Sequence, residues 1–446
     1  MDVVFTILMI INISAIIYVF LLGYDGLIKL CKSLYRLVID SDTIHYIHRK
    51  HKLSADNIMP VTIILPDCGR DSDGTLAIKE LMDLDYPLYE VIATCDSKKH
   101  GELFLALLEE FRLIPVEHPA KISIPTPAAR ATYRSPHFGN LIVVDMDCSS
   151  RHDAINSAIN YSLYPLLVIL GIGYTINTDS MSEIATLFSG NYHIVASGGL
   201  PRIHEHRHSI GMLGSLQETE YLRTFPVGST YQGKQRLSVI LSSFGAFRKQ
   251  NVVAIGGFPP GGNETDMVVR LSKSVAKDNK ETRNLELPPN PVLDTEPLRS
   301  VGTLVRQRME WESAMFFTLR SNKNMLFNPK YGKTGMIDIP YMWLMKIIGP
   351  IIECLGLITI PVSFALGFIG LEILILFFAL EFIFGTLVSL SAIASQQILD
   401  NERPSIKRLL RQVLSAIVNN FGYRQILLFF SVAGLFMRRK STHKTE

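Results

Sequence analysis

An excess of charge of one sign is what this chain most plainly lacks. Lysine and arginine total 44 against 41 aspartate and glutamate, a formal net charge of +3 over 446 residues. So diffuse an excess makes no basic face, and it excludes nucleic acid as the expected partner. Cysteine is scarce. Cys31, Cys68, Cys95, Cys148 and Cys354 are odd in number and nowhere spaced as paired metal ligands, which points to reduced thiols in a cytosolic domain. The first apolar run has no basic stretch ahead of it and no clear small-residue cleavage site, which argues against a signal peptide.

What the chain does have is hydrophobicity, 48% of residues with a mean hydropathy of +0.22, concentrated towards the two ends. An integral membrane protein is therefore expected. Residues 3–22 form an uncharged run about as long as the roughly 20 residues that a spanning helix needs. Lys29, Lys32, Arg36, Arg49, Lys50 and Lys52 follow it, so the middle of the chain is expected on the cytoplasmic side of an inner or plasma membrane. Residues 347–366 and 371–395 are two further spans, joined at Gly367 to Gly370. Glu353, Glu372 and Glu381 lie inside these runs and are expected to face protein interior or an aqueous path, because a carboxylate in lipid is costly. Asp400 to Arg411 is charged and returns to the cytoplasm. The apolar stretch 420–437 is short, with Arg424 at one end and Arg438 at the other, and is readable as an interfacial, re-entrant or transmembrane helix.

Between the ends, β-branched runs alternate with helical patterns. VTIILP, TLAIKELMDL and YEVIATCD, from residue 61 on, read as strand, helix, strand, hence a parallel sheet with ligand loops at the C-terminal ends of its strands. Residues 101–139 hold a helix and a proline-rich connection in which no chemistry is visible. Leu141 to Val144 then reads as a buried strand delivering Asp145 and Asp147 to a metal-bound diphosphate. The alternating His204, His206 and His208 find no fourth ligand nearby and read as a solvated loop. Glu264 and Asp266 are readable as carboxylates of a helix N-terminus.

From about Pro60 to Met437 the order and spacing resemble membrane-bound family 2 glycosyltransferases of the hyaluronan, cellulose and poly-N-acetylglucosamine synthase type. The resemblance implies an α/β, GT-A (Rossmann-like, mostly parallel sheet) domain over 60–333, with N- and C-terminal transmembrane helices. Around it stand an anchor at 1–24, a basic juxtamembrane segment at 25–59, an amphipathic approach and two spans at 334–400, and a cytoplasmic loop, short apolar helix and basic tail at 401–446. Pro66, Asp67, Cys68, Gly69 and Arg70 stand where the family has Pro-Ala-Tyr-Asn-Glu, and Asp96 corresponds to its base-binding carboxylate. Ser149 to Asn156 match the helix start that precedes the metal-binding Asp-x-Asp strand, which makes Arg151 and Asp153 nucleotide-side residues. In this register the metal motif falls on Gly171-Ile172-Gly173, where there is no carboxylate, and Asp145 with Asp147 is the fallback. Gln217 to Gly228 resembles the family's amphipathic helix that lies on the membrane and lines the acceptor path.

The general base, an Asp in the family, corresponds to Glu264, with Asp266 as the other candidate. Its longer side chain moves the carboxylate by more than an ångström, which can cost on the order of 100-fold. In the family's Gln-x-x-Arg-Trp, Gln307 and Trp311 are kept on the acceptor and diphosphate side, while Glu310 replaces the arginine and reverses the local charge.

Three functions follow from the resemblance. One is a catalytically degenerate synthase-like protein that partners or regulates a polysaccharide synthase or export assembly. A second is an active inverting transferase using a UDP-sugar, with Mn2+ or Mg2+ at a remodelled site or no metal at all. The third is a membrane scaffold that no longer binds nucleotide; the surviving Asp96 and Asp153 speak for retained binding of UDP or a UDP-sugar.

Overall fold

The computed structural model describes residues 2–39, 59–68, 73–148, 150–199, 201–203, 211–230, 244–277, 284–286, 293–298, 300–400 and 406–437. Gly69, Arg70, Ser149, His204 to His208, Arg49, Lys50, Lys52 and Arg438 therefore lie outside the described residues. The chain runs α1 (Asp2–Ile39), β1 (Val61–Leu65), α2 (Asp73–Met82), β2 (Tyr89–Cys95), α3 (Gly101–Glu110), β3 (Ile114–Val116), β4 (Ala131–Arg134), β5 (Leu141–Asp145), α4 (Arg151–Tyr161), β6 (Leu166–Leu170), β7 (Tyr174–Thr175), α5 (Thr178–Gly190), β8 (Ile194–Ser197) and β9 (Pro201–Ile203). It continues with α6 (Met212–Thr230), β10 (Phe244–Arg248), α7 (Lys249–Ala254), α8 (Glu264–Lys277), β11 (Asn284–Glu286), β12 (Leu293–Thr295) and α9 (Val301–Ser321). Four helices close it: α10 (Thr334–Ala365), α11 (Leu371–Asp400), α12 (Ile406–Val418) and α13 (Arg424–Leu435).

The expected α/β fold with a mostly parallel sheet is present. A nine-stranded sheet has the order β11-β8-β10-β6-β1-β2-β5-β4-β3, with β6, β1, β2 and β5 parallel at its centre. Every residue of β1, β5 and β6 is buried, because helices cover both faces and each strand then alternates between two apolar layers. Ile63, Val91, Val143 and Val168 pack on one side with Ile78 of α2, Leu107 of α3 and Phe188 of α5. Ile64, Ile92, Ile142 and Ile169 pack on the other with Ile155 of α4, Val268 of α8 and Leu319 of α9. All four central strands thus point their C-terminal ends the same way. Asp96, Asp145 and Gly171 are carried to one edge by that alignment. Several short strands went unread in the sequence, β3 and β4 among them. The connection at 101–139 contains β3 and β4, which extend the sheet antiparallel beyond β5.

Among the described residues three helices are long and apolar enough to cross a membrane: Val3–Ile28, Thr334–Ala365 and Leu371–Ala394. The second begins at Thr334 rather than near residue 347, because two π-helical turns, Thr334–Asp338 and Trp343–Ile348, join the expected approach to the span. Small residues bring the helices together: a Cβ on Gly356 would stand 2.4 Å from Ala15, and one on Gly26 would stand 2.9 Å from Val388. Asn12 of α1 donates to Ser363 at 2.8 Å and accepts from Thr359 at 2.8 Å. Glu353 and Glu381 face protein and share Arg424, whereas Glu372 is exposed.

α6 packs against α1, α11 and α12, and its Ser215, Gln217, Glu218 and Thr219 are all buried. A polar seam holds it: Gln412 donates to Glu218 at 3.1 Å, Thr219 and Ser415 meet at 2.7 Å, and Arg223 donates to Asn420 at 3.2 Å. Asn420 donates on to Ser389 of α11 at 3.0 Å. α12 is accordingly turned inside out, with Gln412, Ser415 and Ala416 inward and Ile406, Leu410 and Leu414 exposed. Of the charged segment Asp400 to Arg411, Asp400 ends α11 and residues 406–411 begin this helix, while 401–405 lie outside the described residues. At 12 residues, α13 is about 18 Å long, too short to span. It packs along α9 and α10.

Candidate functional site

The strand, helix, strand order expected for 140–170 is present as β5, α4 and β6, so Gly171 and Gly173 follow the strand beside β1. They form a tight turn: the Tyr174 amide donates to the Gly171 carbonyl at 3.2 Å, and Gly173 takes φ 87°, a conformation that glycine adopts without strain. This turn offers backbone only and no anionic ligand.

Asp96, Asp145 and Asp147 are brought together, and so are two cations that the sequence had not flagged. Asp96 ends β2 and is 2% exposed. Its Oδ1 accepts from Arg130 Nη2 at 2.6 Å and the Lys98 amide at 3.3 Å, and its Oδ2 accepts from the Cys148 amide at 3.3 Å and lies 3.2 Å from Lys99 Nζ. Asp145 accepts from the Ser97 amide at 3.0 Å, Ser97 Oγ at 2.7 Å, Arg130 Nη2 at 2.8 Å and Arg130 Nε at 3.2 Å. Asp147 is exposed and accepts from Lys99 at 3.1 Å. Burial alone would raise the carboxyl groups of Asp96 and Asp145. Arg130 outweighs it, helped by Lys99 at Asp96 and by Ser97 at Asp145, and both are held below the usual carboxylate range. The same contacts raise Lys99 and Arg130 against the desolvation that lowers each of them. Sheet pairing explains how Arg130 arrives: Ala131 of β4 stands opposite Asp145 of β5, so the residue before the strand falls beside the carboxylate.

The base candidates are elsewhere, at the start of α8. Glu264 is fully buried, and its Oε1 accepts from Arg151 Nη2 at 2.7 Å, while its Oε2 has no hydrogen-bond partner among the described residues. Asp266 is 1% exposed and accepts from Arg270 Nε at 3.0 Å and Asn322 Nδ2 at 3.0 Å. Its own amide donates to the Asn263 side chain at 3.0 Å, the capping arrangement that an Asn before a helix makes. Asp153 has a similar local role. Ser150 caps α4 by accepting from the Asp153 amide, and the Asp153 carboxylate accepts in turn from the Ser150 hydroxyl. His152 Nδ1 accepts from the Gly261 amide at 3.2 Å and ties α4 to the loop before α8. A cavity of about 400 Å³ opens there, between His152, Asp153, Asn156, the Gly256–Pro260 loop and Arg270.

Gln307 and Trp311 sit on α9. Trp311 packs on Ile203 and Tyr221, and Arg308 lies 4.4 Å from its ring centroid while pairing with Glu220 at 2.7 Å. Gln307 Oε1 is buried without a hydrogen-bond partner, and Glu310 is exposed. The sequence missed Arg308 as it missed Arg130; in both cases the partner carboxylate is far away along the chain.

The residues do not fit a divalent metal. Among the described residues no three His, Cys, Asp or Glu side chains are grouped to hold one, and the nearby carboxylates are paired with Arg130 and Lys99.

No family model and no curated protein matches the sequence. Solved structures do match the fold. A mannosyltransferase, PcManGT from Pyrobaculum calidifontis in complex with GDP-Man and Mn2+, is 12% identical over 89% of this chain and 99% of its own, with a TM-score of 0.49. S. aureus TarS 1–349 in complex with UDP is 11% identical over 82% of this chain and 92% of its own, at 0.40, and its complex with UDP-GlcNAc is 12% identical over the same shares, at 0.38. At these scores the likeness adds nothing to the sheet order already described.

Proposed function

We propose that this chain is a family 2 glycosyltransferase-like membrane protein of polysaccharide biosynthesis that has lost catalysis and serves as partner or regulator of a synthase or export assembly. One observation carries the reading. Each candidate base is buried against an arginine of its own chain, Glu264 on Arg151 and Asp266 on Arg270. A general base must reach the acceptor hydroxyl within hydrogen-bond distance and hold a lone pair ready for its proton. A buried carboxylate engaged by a guanidinium is not aimed at solvent, where an acceptor hydroxyl would arrive. Beside this, the turn at Gly171 and Gly173 supplies no ligand for a sugar diphosphate's counter-ion.

A specific observation favours the second reading, an active inverting transferase that takes its sugar from a UDP-sugar. Glu264 Oε2 is buried and unpartnered among the described residues, the kind of oxygen that an acceptor hydroxyl would satisfy. Asp96 and Asp153, the residues assigned to nucleotide by resemblance, each have a structural role already. UDP titration therefore tests retained nucleotide binding separately from chemistry.

The deciding experiment is UDP release from a panel of UDP-sugars by the purified protein in lipid, with Mn2+ or Mg2+ present and a Glu264→Ala, Asp266→Ala double variant as control. The non-catalytic reading expects no release above the control. Release that the double variant abolishes establishes the enzyme.

A further inference from the structure

Asp96, Asp145 and Asp147 are three carboxylates at one sheet edge, not grouped as a metal site among the described residues, and their lone pairs are already in use. A carboxylate offers about four acceptor positions. Asp145 fills four, with two bonds from Ser97 and two from Arg130, and Asp96 fills four, from Arg130, Lys98, Cys148 and Lys99. We infer that Arg130 and Lys99 stand in the charge position that a divalent cation would take beside Asp96, Asp145 and Asp147, and that this edge of the sheet is closed to Mn2+ and Mg2+.

The two arms differ in strength. Lys99 and Asp147 are about half exposed, at 48% and 54%, and a pair of that kind is worth little and opens readily. Arg130 is the opposite. Its Nη2 reaches Asp96, Asp145 and the Met146 carbonyl, at 2.6, 2.8 and 2.8 Å, and the two carboxylates are all but inaccessible. A guanidinium is protonated at every accessible pH and cannot leave as a hydrated metal does, because the backbone carries it. An incoming Mg2+ or Mn2+ needs several oxygens at about 2.1 Å. To obtain them it would have to break the arginine's bonds and then share the site with the displaced positive charge. Asp147 alone, exposed and single, is a poor chelator.

This inference concerns the same sheet edge as the functional reading but stands apart from it, because a transferase can be active or inactive without a metal. The test is a titration of Mn2+ itself, followed by electron paramagnetic resonance of the free ion, with the full chain purified in detergent. The native chain is expected to bind no stoichiometric Mn2+ below millimolar concentration. The Arg130→Ala, Lys99→Ala double variant, which leaves three carboxylates without their cations, is expected to bind Mn2+ at least about tenfold more tightly. One Mn2+ bound per native chain and lost in Asp145→Asn overturns the inference, as does a folded double variant that gains nothing. Should the double variant fail to fold, the native chain measured against Asp145→Asn decides. Mn2+ binding without UDP release would overturn the cation clamp and leave the non-catalytic reading standing.

Discussion

Arg151 and Glu264 meet at 2.7 Å although 113 residues separate them, and the contact fastens the start of α4 to the start of α8. Glu264 is fully buried whereas Arg151 is partly exposed. Arg151→Ala leaves a carboxylate stranded, and we expect it to destabilise by about 3–4 kcal/mol, the lower part of the range for a broken buried pair. Glu264→Gln removes the charge while keeping the shape and should cost less. Thermal unfolding of the two variants in one detergent checks the order.

Arg130→Ala should be more damaging, since it deprives two buried carboxylates at once; a loss of about 3–5 kcal/mol is expected. Arg130→Lys keeps one charge but cannot bridge as a planar fork, and it should fall between the alanine variant and the native chain. Equal behaviour of the two variants would contradict the bridging role.

Acid should weaken the same cluster. Asp96 and Asp145 are held below the ordinary aspartate value of 3.8 in the folded chain. Groups shifted in that direction contribute stability that is present above their unfolded value and is lost as pH falls through the folded one. Unfolding temperature measured from pH 6 downward is expected to fall steeply below about pH 4, and the fall should be shallower in Asp145→Asn, which has one fewer group to titrate.

Among the long apolar helices, Arg424 reaches Glu353 of α10 and Glu381 of α11. Arg424→Ala leaves both carboxylates without their cation in surroundings where an isolated charge costs several kcal/mol. The expected outcome is a sharp drop in the fraction of chain recovered as a monodisperse species on size-exclusion chromatography. Arg424→Lys should recover part of it.

Returning carboxylates to the turn after β6, with Gly171→Asp and Gly173→Asp together, is not expected to produce UDP release. Glu264 and Asp266 remain paired, and Gly173 sits at φ 87°, where an aspartate costs roughly 1–2 kcal/mol. Metal-dependent release by this variant would show that the turn alone had been limiting.

The sequence made the central layers legible because their signals are local. β-branched runs between turn residues marked β1, β2 and β5, the family resemblance placed the strand before Gly171, and the apolar lengths marked the three candidate spans. Arg130 was hidden for a physical reason. It lies at the end of a proline-rich connection, and its role depends on β4 pairing antiparallel with β5, a register that nothing within the connection announces. The same holds for α12. Its pattern of apolar and basic residues reads as amphipathic, but which face turns inward is decided by the buried polar side chains of α6 almost 200 residues earlier. Of the candidate residues, Asp96, Asp145 and Asp147 were found as carboxylates at strand ends, while the cations that occupy them were not.

The seam from Glu218 to Ser389 gives α6 one place to stand. Its hydroxyls, amides and carboxylate find their partners only in a single alignment against α12 and α11, and in apolar surroundings no water is at hand to replace a partner left behind. A slide of one helical turn would break every rung together, so α6 and α11 move in step or not at all. The chain between β9 and β10 is thereby tied to the long apolar helix α11.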